Sequence, residues 1–250
     1  MSAVRIKVKR QDSAQAAPRW EEFEVDREPK MNVIAALMAI QRRPQTVQGK
    51  KTAPVVWDSN CLEEVCGACT MLVNGHVRQA CSTLVDRVSP HGEPIVLEPM
   101  TKFPVVRDLI VDRASMFESL KRVKAWIQLD GSYDLGPGPR YSPDEQQERY
   151  ALSRCFTCGT CLEVCPNVNA KTGYIGPAAV SQARLMNLHP TGKMHAEERI
   201  DALLGAGGVF DCGNSQNCVR ACPKEVPLTT SLADMMRAAT KHSLVRWFRK

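Results

Sequence analysis

No stretch of this 250-residue sequence is apolar for long enough to cross a bilayer. The longest unbroken run, Val33 to Ile40, falls well short of the ~20 residues a spanning helix needs, so any membrane contact is expected to be peripheral. No G-x-G-x-x-G follows a strand and no P-loop occurs. Gly205-Ala206-Gly207-Gly208 fails both patterns and reads as a helix C-cap, which leaves no legible nucleotide site. H-E-x-x-H is absent, and the five histidines (His76, His91, His189, His195 and His242) pair with no cysteine, so they read as surface or capping residues. Nor is a nucleophile–base arrangement legible. Charge is not one-sided: 33 Lys and Arg against 27 Asp and Glu leave a net +6, mostly unclustered. The amino terminus carries neither a signal-peptide core nor a transit segment, from which the chain is expected to remain in the cytoplasm. With 44% hydrophobic and 24% charged residues, intrinsic disorder is excluded as the main state, and the length has room for one or two domains.

Periodicity divides the chain near residue 105. Val4, Ile6 and Val8 alternate with Arg5, Lys7 and Lys9, and Phe23 and Val25 alternate with Glu22 and Glu24, which predicts two half-buried strands paired with each other. Met31 to Ile40 places Val33, Ile34, Leu37 and Met38 on one helical face, and Pro44 stops it. Asn74-Gly75 between two short apolar pairs predicts a hairpin with Val73 opposite His76; the same register sets Cys69 opposite Ala80, beside Cys81. Ile95-Val96-Leu97 is a last short strand. Asp108 to Leu129 then carries helical spacing, and Gly136-Pro137-Gly138-Pro139 is a loop. Ser142-Pro143-Asp144-Glu145 is a capping box opening a helix toward the next cysteines, and further helices are predicted at Ala178 to Leu188, Ala196 to Leu204 and Ser231 to Thr240.

The eleven cysteines are too few for a small disulfide scaffold and too grouped to be incidental; an odd count in a reducing compartment points to metal. Cys61-x4-Cys66-x2-Cys69, with Cys81 after the hairpin, is the plant-type ferredoxin spacing for a [2Fe-2S] cluster, and Gly67 inside the wrap lets backbone approach sulfide. The x4 spacing and the fourth ligand on a hairpin argue against the alternative, a four-thiolate zinc site. Cys155-x2-Cys158-x2-Cys161-x3-Cys165-Pro166 is the bacterial ferredoxin run, whose fourth cysteine crosses to the other cluster. The partner run, Cys212-x2-Ser215-x2-Cys218-x3-Cys222-Pro223, has Ser where the second cysteine belongs. Cys155, Cys158, Cys161 and Cys222 are therefore the expected ligands of a [4Fe-4S] cluster. Cys165, Cys212 and Cys218 are left as three ligands, which points to [3Fe-4S]; the alternative is a fourth iron held by the Ser215 oxygen, a harder ligand than thiolate. Four, four and three ligands use every cysteine. A chain of this kind moves single electrons between partners that do the bond chemistry. A zinc-stabilised nucleic-acid-binding protein would need basic residues among its metal loops, whereas Leu62-Glu63-Glu64-Val65 is acidic, so no nucleic-acid partner is expected. A soluble dicluster ferredoxin fits poorly with the attached [2Fe-2S] domain. At the carboxyl end, Lys241, His242, Arg246, Trp247, Phe248, Arg249 and Lys250 form either a surface-docking tail or a solvated end.

This order of motifs resembles the iron-sulfur subunits of succinate dehydrogenase and fumarate reductase over nearly the whole chain. Val106-Arg107-Asp108-Leu109-Ile110-Val111-Asp112, Gly176-Pro177, Cys165-Pro166-Asn167 and Cys222-Pro223-Lys224 carry the resemblance with the cysteines. It implies an α+β chain: a β-grasp domain over residues 1–105 and an all-α helical ferredoxin domain over residues 106–250. It also implies a role, relaying electrons from an FAD-bearing flavoprotein that oxidises succinate through the three clusters to quinone at a membrane anchor, with this chain peripheral on the cytoplasmic face. Ala170 and Gly213 stand where ubiquinone-reducing members usually carry Trp and His. The surrounding Cys165-Pro166-Asn167-Val168-Asn169 and Cys212-Gly213-Asn214-Ser215 look more like the menaquinone-linked enzymes with a dihaem cytochrome b anchor. Pro166, Gly213 and Ser215 are the residues implied near the quinone. Fumarate reductase runs the reaction in reverse with the same parts, and sequence does not set the direction.

Overall fold

A computed structural model describes residues 3–128 and 140–249; the predicted Gly136–Pro139 loop and the end of the helical segment at Leu129 lie outside them, as does Lys250. The chain forms two compact units, Met1–Arg113 with Phe156–Glu163, and Ala114–Cys155 with Val164–Lys250.

The first unit is built on a five-stranded mixed sheet. Strands β1 (Ala3–Arg10) and β2 (Arg19–Asp26) pair antiparallel, with Ile6 opposite Phe23. Helix α1 (Val33–Arg42) starts at Asn32, whose side chain accepts the amide of Ala35 at 2.8 Å. Strands β3 (Thr70–Val73) and β4 (His76–Gln79) form the Asn74-Gly75 hairpin in the predicted register, Val73 opposite His76, and the Ala80 amide donates to the Cys69 carbonyl at 3.1 Å. After a single turn, α2 (Val85–Val88), strand β5 (Ile95–Glu98) inserts parallel to β1 and antiparallel to β3, giving the order β2-β1-β5-β3-β4. This is the β-grasp arrangement. Alternation decides the faces: Val4, Ile6 and Val8 point inward with Ile95, Leu97 and Val73, and α1 covers them with Val33, Ile34, Leu37 and Ile40. Each such side chain, fully buried, contributes about 1.5–3 kcal/mol.

The segment predicted as helix from Asp108 departs from expectation. Strands β6 (Val105–Arg107) and β7 (Ile110–Val111) form a short hairpin, and α3 runs only over Ala114–Arg122. The cause is Asp108. Its carboxylate, wholly buried, accepts Arg10 Nε at 3.0 Å and the amides of Gln11 and Val56 at 3.0 and 2.9 Å, while its backbone turns through φ +45°. A helix there would withdraw that carboxylate and leave the buried Arg10 guanidinium with Glu21 as its remaining counter-charge.

The second unit is helical throughout its described residues. Ser142 opens α4 (Pro143–Ser153) with the complete capping box, and the helix ends before Cys155. The turn α5 (Thr160–Glu163) belongs to the first unit. Helix α6 (Pro177–Leu188) is central, its small residues Ala178, Ala179 and Ala183 allowing close approach of α9 (Leu228–Phe248) through Leu232, Met235 and Ala239. Between them come α7 (Ala196–Leu204), as predicted, and the short α8 (Asn217–Ala221). Arg184 fastens the core by pairing with Asp234 at 2.7 Å and with Glu148, and buried Arg199 donates to the carbonyls of Lys124, Trp126 and Gly192. Helix α9 is twice as long as the sequence pattern predicts, because its last turns are exposed and carry no inward face to read. No helix among the described residues is long and apolar enough to cross a membrane.

Candidate metal centres

The first cysteine group occupies a loop whose amides turn toward sulfur. Leu62, Glu64 and Gly67 adopt positive φ, and the loop closes on itself: Cys61 Sγ accepts the amides of Val65 and Cys66 at 3.2 Å, and Cys66 Sγ accepts that of Ala68 at 3.4 Å. Amides of Glu63 and Val65 pull the Cys61 thiol down to about 7, favouring the thiolate a metal needs. Cys69 and Cys81 sit at the base of the β3–β4 hairpin, buried, with Cys69 pushed up to about 12 by burial. Asn32 caps α1 with its Oδ1 and with its Nδ2 donates to the Cys81 carbonyl at 2.9 Å, so one residue joins the helix to the fourth thiol. A loop of amide-supported thiols facing two strand-borne thiols fits a [2Fe-2S] group, whose charge such donors stabilise.

Cys158 and Cys161 of the second run are buried in the first unit. Gly67 is pressed against this run: a Cβ there would lie 2.7 Å from Cys158 Cα and 3.2 Å from the Phe156 ring. Gln79 Nε2 donates to Thr160 Oγ1 at 3.1 Å, and the Glu163 carboxylate accepts the amides of Thr101 and Lys102 at 2.9 and 3.0 Å. Arg113 donates to the carbonyls of Gly67 and Ala68 at 2.6 and 2.7 Å; burial lowers its pKa, opposed by Asp58 and by the sulfurs of Cys158, Cys69 and Cys66. Cys155 and Cys222 lie half-buried in the second unit, where Arg154 donates to the Glu225 carbonyl at 3.3 Å, tying the flanks of the two cysteines together.

The third group borders a single cavity. Cys165, Cys212 and Cys218 line this small cavity with Ser215, Gly213 and Tyr174, partly open to solvent. Burial pushes the Cys218 thiol up, and the Cys165 and Cys212 sulfurs add to the shift. Asn214 and Gln216, either side of Ser215, both take positive φ, and the Asn214 amide donates to Cys212 Sγ at 3.4 Å. Gly213 lets Asn167 approach, since a Cβ would meet its Oδ1 at 2.8 Å. Pro166 is exposed and outside the cavity lining; its carbonyl accepts Asn169 Nδ2 at 2.9 Å. The Tyr174 hydroxyl is buried beside Cys212 with no well-formed hydrogen-bond partner, and burial with the surrounding sulfurs drives its pKa upward. An orphaned donor aimed into a ring of three thiols fits a sulfur-rich group there. Among the described residues no three His, Cys, Asp or Glu side chains converge on a single point as one bound ion requires.

Arg113, Asn32 and Tyr174 escaped sequence reasoning. None belongs to a spacing motif, and each reaches its cysteine group through tertiary packing, Arg113 by way of the Gly67 and Ala68 carbonyls.

A model of a 2Fe-2S iron-sulfur cluster binding domain matches residues 5–118, and one of a 4Fe-4S dicluster domain matches residues 151–226. The succinate dehydrogenase iron-sulfur subunit of Bacillus subtilis is 56% identical over 245 residues, covering 98% of this chain and 96% of the relative. The fumarate reductase iron-sulfur subunit of Wolinella succinogenes is 27% identical over 227 residues, covering 90% and 91%. A chain of the Mycobacterium smegmatis Sdh1 complex in the apo form shares the fold at a TM-score of 0.76 and 22% identity, with 96% of each chain covered. These likenesses run the length of both units. The chain belongs to the family of succinate dehydrogenase and fumarate reductase iron-sulfur subunits, as an electron-transfer subunit without substrate chemistry of its own.

Proposed function

We propose that this chain holds a three-cluster relay in a succinate:quinone oxidoreductase and delivers electrons to a membrane quinone, menaquinone. Residues 1–105 carry Cys61, Cys66, Cys69 and Cys81 as ligands of [2Fe-2S]. Residues 106–250 carry Cys155, Cys158, Cys161 and Cys222 for [4Fe-4S], and Cys165, Cys212 and Cys218 for [3Fe-4S]. Bound there, the clusters supply one-electron carriers. The protein's own contribution is to hold the thiolates, aim amides at their sulfurs and bury them from water.

The observation that carries this reading is the third cavity, which gathers three thiols from two separate runs around Ser215, at the place where an ordinary ferredoxin run has its fourth. Gly213 and Ser215 line it and Pro166 lies nearby in sequence, and we assign quinone access to this side. The absence of a nucleotide fingerprint makes an FAD flavoprotein the necessary partner for succinate oxidation, and with no crossing helix among the described residues a membrane anchor subunit is the second. Ala170 and Gly213 in place of the bulkier residues of ubiquinone-linked members support menaquinone and a dihaem cytochrome b anchor, with this chain on the cytoplasmic face.

Ser215→Cys tests the three-ligand assignment. A thiolate in that slot completes the frame, so a fourth iron binds, the oxidised three-iron EPR signal disappears, and the added anionic ligand lowers the potential and slows quinone reduction. A wild type without that signal, or a variant that keeps it unchanged, contradicts the assignment.

A further inference from the structure

Tyr174 is almost wholly buried, and its ring enters the second unit's core while its hydroxyl lines the cavity shared by Cys165, Cys212 and Cys218. The backbone on either side is fixed: the Tyr174 amide faces Thr172 Oγ1 at 3.4 Å and the Ile175 amide donates to the Gly207 carbonyl at 3.0 Å. The hydroxyl therefore cannot swing out to water without moving the chain. Yet among the described residues it has no well-formed hydrogen-bond partner, and the Cys212 sulfur lies beside it. A phenol carries a donor that a buried site must satisfy, and a phenylalanine would fill the same apolar volume without that cost. The sulfurs of Cys212, Cys165 and Cys218 are the groups that act on the hydroxyl, Cys212 from beside it.

We propose that the Tyr174 hydroxyl donates a hydrogen bond to a sulfur of the third cluster, either the Cys212 thiolate or an inorganic sulfide, and thereby sets the potential of that cluster upward. The inference rests on the three-ligand reading of Cys165, Cys212 and Cys218. Reduction adds negative charge to the cluster, and a donor on one of its sulfurs stabilises the reduced form more than the oxidised form. Tyr174 is in this sense a positioning residue: it binds no iron and tunes the carrier that hands electrons on. It acts with the Asn214 amide, which already donates to Cys212 Sγ, and adds a buried side-chain donor to the same cavity.

The experiment is an EPR-monitored redox titration of the assembled complex carrying wild-type or Tyr174→Phe subunit, following the oxidised three-iron signal. The expected result is an intact signal with reduction less favourable by about threefold to tenfold, tenfold being about 59 mV for a one-electron couple. Pulsed EPR after exchange into deuterium oxide supplies a second reading. The wild type should show one exchangeable proton coupling that the variant lacks. Unchanged midpoint potential and unchanged proton couplings overturn the inference while leaving the cluster assignment standing. A variant that no longer assembles the three-iron centre also overturns it, because the hydroxyl would then build the site rather than tune it. Absence of the three-iron signal from the wild type defeats the underlying assignment instead.

Discussion

Replacing Gly67 by alanine isolates the closest contact between the first cysteine loop and the second run. Gly67 sits at φ +72°, where a Cβ would stand 2.7 Å from Cys158 Cα and 2.9 Å from Cys158 Cβ. Gly75, in the Asn74-Gly75 turn, has nearly the same φ of +74° with nothing within 4 Å. Both alanines suffer the left-handed penalty of about 1–2 kcal/mol. Only Gly67→Ala adds overpacking, against a backbone atom that cannot rotate aside, for a further ~1–3 kcal/mol. At about 2–4 °C per kcal/mol for a chain of this size, Gly67→Ala should melt roughly 2–12 °C below Gly75→Ala. The assay is anaerobic thermal denaturation of the cluster-loaded protein, followed by visible absorbance. Equal melting of the two variants, or a milder effect at Gly67, would refute the claim that the loop and Cys158 are in direct contact.

Asp108→Ala should cost about 3–5 kcal/mol in chemical denaturation, because it leaves the buried Arg10 guanidinium with Glu21 and two carbonyls but without its fully buried carboxylate; a loss under about 1 kcal/mol would show the pair to be dispensable. In the chain stripped of clusters, Cys61, its pKa lowered to about 7, becomes thiolate as pH rises through neutrality, whereas Cys69 at about 12 stays protonated. Iodoacetamide labelling between about pH 6 and 8, read by mass spectrometry, should therefore mark Cys61 increasingly and Cys69 scarcely at all, and equal labelling would contradict the amide-lined loop. Succinate turnover should require added flavoprotein subunit, and turnover by this chain alone would refute the electron-transfer role.

What could be read in the chain and what could not divides along the range of the interactions. The hairpin register followed from Asn74-Gly75 alone, since a two-residue turn fixes its own pairing and so carries Cys69 to Ala80. The Ser142 cap was equally local, with donor and acceptor three residues apart. Residues 108–111 misled because the apolar spacing from Asp108 onward reads as helical, and the carboxylate that decides against a helix answers to Arg10, 98 residues away. The cysteine runs were legible because metal coordination imposes spacing on sequence. The groups that surround the sulfurs carry no such signature. Arg113 and Tyr174 touch the cysteine sites only through the fold, and the placement of Phe156–Glu163 in the first unit depends on Gln79–Thr160 and Thr101–Glu163 bonds that no periodicity announces.

We propose that the eleven cysteines hold three clusters and that the third has only three thiolate ligands. Iron and acid-labile sulfide analysis of anaerobically prepared protein, with EPR of the same sample before and after reduction, tests it most directly. About nine irons per chain are expected, with an oxidised three-iron signal that disappears on reduction as signals of the two- and four-iron clusters emerge. About ten irons without the three-iron signal, or stoichiometric zinc in a colourless protein, would contradict it.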